Sequence, residues 1–145
     1  MRRKSLKKHP FTLIEVVVAI MIVVMLASLA TPLYFRYVRK AKVDTAKTQL
    51  KLLEQALLDF KLDVGKYPET ADGLQALVEN VTQSDKWDGP YIKPSVPKDP
   101  WGNDYVYVSP GEHGDFDLCS YGADGQPDGE GENADIRNWE ESSSK

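Results

Sequence analysis

The stretch FTLIEVVVAIMIVVMLASLATPLYF, Phe11 to Phe35, decides the fold. Its 25 residues carry one charge, Glu15, at the fifth position. About 20 apolar residues suffice for a helix to cross the hydrocarbon core of a bilayer. The many Val and Ile residues do not oppose a helix there, because in lipid every backbone polar group must bond within its own segment. Glu15 is the anomaly, since a carboxylate in hydrocarbon costs roughly 2.5–3.5 kcal/mol on insertion scales. Three readings compete. A plain single-span anchor gains nothing from that carboxylate. A secretory signal peptide would use the basic head, the apolar run and Ser28-Leu29-Ala30 as a small-x-small cut. Glu15 fits that no better, and Pro32 lies two residues beyond the cut. In the third reading the chain is cut between Pro10 and Phe11. The new α-amine then lies four residues from Glu15, about one helical turn. A buried carboxylate needs a cationic partner. The amine of a neighbouring copy, staggered along a helical bundle, supplies it and makes Glu15 a register-setting group.

Outward from this segment, the head MRRKSLKKHP holds five Lys/Arg and no acid. The chain of 145 residues carries −4 overall, which leaves −9 on the remainder. The head is too short for a nucleic-acid-binding domain and reads as the cytoplasmic flank of a membrane segment. The acidic body argues against DNA or anionic lipid as its partner. Arg36, Arg39, Lys40 and Lys42 flank the other end of the apolar run. They read as a solvated, snorkelling collar that the leader outweighs in setting orientation. With Cys119 alone, no intrachain disulfide is possible. Cys119 reads as a small side chain on a strand, and neither His9 nor His113 has a metal-ligand or triad spacing around it.

Past Pro32, the residues Val43, Ala46, Leu50, Leu53, Leu57 and Phe60 recur at steps of three and four. That period marks one face of a continuing helix, and Gly65 is its stop signal. From Phe11 to Asp63 the helix would be a rod of about 80 Å at 1.5 Å per residue. Leu74 to Val78 predicts a short second helix capped by Thr70 or Asp72. Residues 80 to 100 are polar and Pro-rich and read as loop. Tyr105-Val106-Tyr107-Val108 and Phe116-Asp117-Leu118 predict two strands joined by a hairpin over Ser109 to Gly114. The class is α+β, a long helix packed on a small antiparallel sheet.

Phe11-Thr12-Leu13-Ile14-Glu15 behind a basic leader resembles the prepilin motif of type IV pilins and type II secretion pseudopilins. The resemblance implies a type IV pilin-like fold. It also implies a prepilin peptidase that cuts between Pro10 and Phe11 and methylates the Phe11 amine, and a role for Phe11 and Glu15 in assembly. The family has Gly before the cut; here Pro10 fixes φ and carries no N–H. The body resembles the major-pseudopilin branch. The matching residues are Gly73 to Val78, Tyr91-Ile92, Asp99-Pro100-Trp101-Gly102, Ser109-Pro110-Gly111, Ser120 to Gly125, Ala134-Asp135-Ile136 and Asn138-Trp139.

The loop Asp124 to Asp135 is the chemical feature. Its oxygens suit a hard cation, and its glycines leave little else to order it. Counted as twelve positions it echoes an EF-hand loop, but a strand precedes it and no helix pair is expected around it. The resemblance implies calcium here. Asp124 and Asp135 would be side-chain ligands, joined by the carbonyls of Tyr121 and Gln126. Ala134 stands where the family often has an acid or hydroxyl residue, so Asp128, Glu132 or Asn133 takes that place.

As a whole the resemblance implies a structural subunit and no enzyme. Residues 1–10 would be the leader, 11–35 the transmembrane half of the helix, 36–139 the periplasmic domain and 140–145 a disordered tail. The protein would be single-pass in the inner membrane and assemble into a helical periplasmic filament that drives export of folded proteins across the outer membrane. Its partners would be further copies, minor pseudopilins, the inner-membrane secretion platform and the prepilin peptidase, with no nucleic acid. The alternatives are a type IV pilin for adhesion or DNA uptake, or a secreted or anchored calcium-binding module. Such pilins often close their C-terminal loop with a disulfide, which a single cysteine cannot form.

Overall fold

The computed structural model describes residues 10–140. The expected leader (1–10) and tail (140–145) lie, but for Pro10 and Glu140, outside the described residues. A helix, α1, runs Leu13–Val64, and Pro32 lies inside it without ending it. It ends at Gly65, which takes φ +92° and donates its N–H to the Lys61 carbonyl at 2.8 Å. Left-handed backbone of this kind suits a residue without Cβ. The chain divides into two compact units after Val38. In the first, every residue from Phe11 to Tyr37 is exposed.

In the second unit, α1 buries Ala46, Leu50, Leu53, Ala56, Leu57 and Phe60. That is the expected stripe, with Val43 packed at its edge and Ala56 added between Leu53 and Leu57. The stripe meets Tyr105, Tyr107, Leu118 and Ile136 of the sheet region and Leu74 and Leu77 of the turn beyond the helix. Three aromatic residues of this core keep their polar tips bonded. Tyr105 donates to Gln49 Oε1 at 2.6 Å, Tyr107 to the Pro68 carbonyl at 2.8 Å, and the Trp87 indole N–H to the Ala76 carbonyl at 2.9 Å.

The sheet has three antiparallel strands in the order β1 (Val106–Val108), β2 (Asp117–Ser120), β3 (Ile136–Arg137). The hairpin β1–β2 is the expected one, with Tyr107 opposite Leu118. The third strand was not expected. It pairs Cys119 with Arg137 and Ser120 with Ile136. Asn138 then prolongs the ladder: its N–H donates to the Leu118 carbonyl, and its side-chain oxygen accepts the Leu118 N–H at 2.8 Å. All four residues of the central strand are buried, so its alternation does not become an inside–outside pattern. Burial pushes the Cys119 thiol up to about 11, which keeps it unreactive.

The second helix is only a 3-10 turn, Leu74–Leu77, with Gly73 at its start and no side-chain cap. Thr70 is engaged elsewhere, exchanging hydrogen bonds with Ser109 at 3.0 and 2.8 Å. Asp72 instead accepts from the Glu69 N–H. The turn Asp99-Pro100-Trp101-Gly102 hangs on its carboxylate. Asp99 Oδ1 accepts the N–H groups of Trp101 and Asn103 at 3.0 and 2.8 Å, and Oδ2 accepts the Ser120 hydroxyl at 2.6 Å.

The hairpin loop closes over Asp117, whose carboxylate accepts the N–H groups of Glu112 and His113 at 3.0 and 3.1 Å and lies 2.9 Å from His113 Nδ1. A Cβ on Gly111 would fall 2.6 Å from that carboxylate, so the approach requires glycine. Burial alone would raise the Asp117 pKa; the bonds from His113 and the two N–H groups outweigh it and hold the carboxyl below its ordinary value. Because its folded pKa is depressed, the stability Asp117 contributes is complete above the unfolded value and is lost as pH falls through the folded one. Asp117→Asn is therefore expected to lower stability at pH 7 by about 1.5–3 kcal/mol, the range for hydrogen bonds to a charged group. The gap between variant and parent, read from urea titrations, should close as pH falls through the depressed folded value.

Candidate functional site

At the start of α1, the Glu15 N–H donates to Thr12 Oγ1 at 3.3 Å, and Glu15 Oε2 accepts the Thr12 N–H at 3.5 Å. This is a capping box, two backbone donors satisfied reciprocally at the end of a helix. Its signature, Thr three residues before Glu ahead of an apolar run, stands in the sequence, and the reading of Glu15 as an assembly group alone misses it. Phe11, Glu15, Val16, Ala19, Ile20 and Val23 line a shallow apolar groove along this face of the helix.

The acidic loop leaves β2 and returns as β3, so strands rather than helices flank it. Its mouth is closed by backbone: the Ala123 N–H donates to the Glu132 carbonyl at 2.9 Å. Gly122 lies against that closure at φ +65°, and a Cβ there would be 2.8 Å from the Glu132 carbonyl oxygen. Asn103 donates from Nδ2 to the Gly122 carbonyl at 2.8 Å, tying the mouth to the Asp99 turn.

Within the loop, Asp124 Oδ1 accepts the Gln126 N–H at 3.1 Å, an Asx turn. Asp128 takes φ +66° and donates its N–H to Asp135 Oδ2 at 3.1 Å. Arg137 Nη2 reaches both acids, Asp135 Oδ2 at 2.9 Å and Asp128 Oδ1 at 3.1 Å. Glu132 pairs instead with Arg39 of α1 at 3.2 Å. Asp135 is the buried member, its side chain 4% exposed. Its second oxygen, Oδ1, is buried and has no partner among the described residues. Such an oxygen carries a desolvation cost that a cation would offset. The phenol of half-buried Tyr121 is pushed up by burial first and by Cys119 and Asp135 after it.

Of the six residues read as a metal set, the structure brings Asp128 and Asp135 together and sets Asp124 on Gln126. It turns Glu132 toward α1. Among the described residues no three His, Cys, Asp or Glu side chains gather as a metal cluster. An oxygen site that relies on two carboxylates and backbone carbonyls does not need three. The donor chemistry and the partnerless Asp135 oxygen fit a hard cation. Arg137 and Arg39, which hold three of the loop's acids, were not read as site residues.

Comparison with known proteins gives a single picture. Residues 34–139 match the family model for type II secretion system protein G. The chain is 46% identical over 140 residues to the type II secretion system core protein G of Vibrio cholerae, covering 94% of this chain and 95% of that one. With the core protein G of Pseudomonas aeruginosa it shares 46% over 135 residues, covering 90% and 94%. Among solved structures it is similar to the major pseudopilin from the type 2 secretion system of enterohaemorrhagic Escherichia coli. That match has a TM-score of 0.59 at 40% identity and covers 69% of this chain and 88% of the other.

Proposed function

The chain belongs to the type II secretion system protein G family and is a structural subunit of a pseudopilus, not an enzyme; on that premise we propose how its two ends serve the assembly. The observation that carries the reading is the first half of α1. It is long and apolar enough to cross a membrane, with a mean hydropathy of 2.8 over 18 residues, and none of that window is buried among the described residues. Lipid covers such a surface before assembly, and the same helix of neighbouring copies covers it afterwards.

The subunit is inserted once in the inner membrane, with its basic leader in the cytoplasm and its C-terminal domain in the periplasm. A prepilin peptidase cuts between Pro10 and Phe11 and methylates the new amine. Minor pseudopilins and the inner-membrane secretion platform are its other partners, and folded proteins cross the outer membrane by the filament's action. Glu15 then has two tasks. In a lone chain it caps the first turn of α1. In the filament its carboxylate pairs with the Phe11 amine of a neighbouring copy, which removes the cost of an unpaired charge in an apolar setting.

The acidic loop holds calcium. Asp124 and Asp135 would supply carboxylate oxygens, with the carbonyls of Tyr121 and Gln126, and Asp128 or Glu132 would complete the set. Bound there, calcium supplies a compact double charge that draws oxygens from both ends of the loop together. What supports this is Asp135 Oδ1, buried and without a partner among the described residues.

Substituting Glu15 separates its two tasks. Glu15→Gln keeps an acceptor for the Thr12 N–H and loses the charge, whereas Glu15→Ala loses both. Both are expected to insert in the membrane and to form no filaments by electron microscopy. Filaments of parental number from Glu15→Gln would leave capping as the residue's only task. For the loop, the full chain in detergent micelles should melt about 10 °C higher at calcium a hundredfold above its dissociation constant than in chelator. Asp124→Ala should remove most of that shift. A melting curve indifferent to chelation would contradict the calcium reading.

A further inference from the structure

The loop from Asp124 to Asp135 holds five acids, both ends included, and the fold brings a cation of its own to them. Arg137, the last residue of β3, places Nη2 2.9 Å from Asp135 Oδ2 and 3.1 Å from Asp128 Oδ1, and Nη1 2.8 Å from Glu140 Oε1. One planar guanidinium thus spans three carboxylates, the geometry its fixed fork of donors favours. The two acids it shares with the loop differ in kind. Asp135 is fixed and buried, with Oδ2 committed to Arg137 and to the Asp128 N–H and with Oδ1 partnerless. Asp128 is 91% exposed at its side chain, so leaving Arg137 costs it little.

We propose that Arg137 is the built-in counter-cation of this loop and competes with a divalent cation for Asp128 and Asp135. The proposal rests on the calcium reading above. In the metal-free chain the guanidinium neutralises the paired acids, which would otherwise repel one another across the loop, and keeps its returning arm against β3. When a divalent ion engages Asp135 through Oδ1, Asp128 is free to swing from Arg137 to the ion. The guanidinium stays behind as a fixed positive charge that opposes the ion. Arginine cannot shed that charge, so the opposition holds at any working pH. Two properties follow together. The loop keeps its course without metal, and its affinity is lower than its oxygens alone would give. Such a loop exchanges its ion with the surroundings rather than holding it permanently.

The test uses the full chain in detergent micelles, stripped with chelator and titrated with calcium chloride by calorimetry. Parent, Arg137→Gln and Arg137→Lys are compared. Arg137→Gln should bind calcium about tenfold more tightly, the effect of removing one unit charge beside a divalent site in a partly solvated setting. Its metal-free form should melt lower and be cut faster at Glu130 and Glu132 by a Glu-specific protease. Arg137→Lys keeps the charge and should stay within about threefold of the parent. If Arg137→Gln folds only with calcium present, its dissociation constant is read from calcium-dependent folding instead. Parental or weaker affinity in Arg137→Gln, or equal tightening in Arg137→Lys, overturns the competition and leaves the calcium reading standing. A parent that takes up no calcium overturns both.

Discussion

A helix that is apolar all round for its first half and apolar on one stripe for its second cannot be satisfied by one chain. The sheet region and its loops cover the stripe from Ala46 to Phe60. Among the described residues nothing covers Phe11 to Tyr37, where every residue is exposed. At about 1.5–3 kcal/mol for each fully buried large apolar side chain, that surface outweighs the whole net stability of an ordinary domain. Such a surface is compatible with a membrane-anchored helix. The single carboxylate at its head follows the same logic: the charge is tolerable only where a helix end or a second chain supplies its partner.

The globular unit meets the opposite demand. It must keep one shape while carrying an acidic loop with few apolar anchors. The structure does this with carboxylates used as knots. Asp99 gathers two backbone N–H groups and the Ser120 hydroxyl, and Asp117 gathers the N–H groups of Glu112 and His113. Asp135 is the third knot, and it alone of the three keeps a buried oxygen without a partner among the described residues. The difference separates two acids whose bonds are complete from one whose bonds are not. His113 also stacks on Trp139, ring centroids 4.3 Å apart, which secures the hairpin loop near the end of the described chain.

The helix and the hairpin were legible because their signals are periodic. Steps of three and four name the buried face of α1, and β-forming residues on either side of a Ser-Pro-Gly turn name β1 and β2. The missed elements lack any period. β3 is two residues long, and its next rung is an asparagine side chain. The 3-10 turn keeps its apolar residues, but the caps read for it are occupied by other partners. In the acidic loop, composition points at the oxygens and hides the cations. Arg137 gains its meaning only when antiparallel pairing of β2 and β3 returns it beside Asp128, nine residues away in sequence. Arg39 belongs to a collar that reads as a solvated flank, yet it reaches Glu132. The capping box is readable from Thr12 and Glu15, three residues apart ahead of an apolar run.

The most direct measurement is the intact mass of this protein extracted from membranes of its own host. The expected mass is that of a chain beginning at Phe11 with one added methyl group, which leaves an amine one turn from Glu15 for pairing between copies. A full-length mass would show that Pro10 blocks the cut and that Glu15 has no amine to meet. A chain beginning after Ala30 would lack Glu15 altogether. Either result would contradict a subunit assembled through its N-terminal helix.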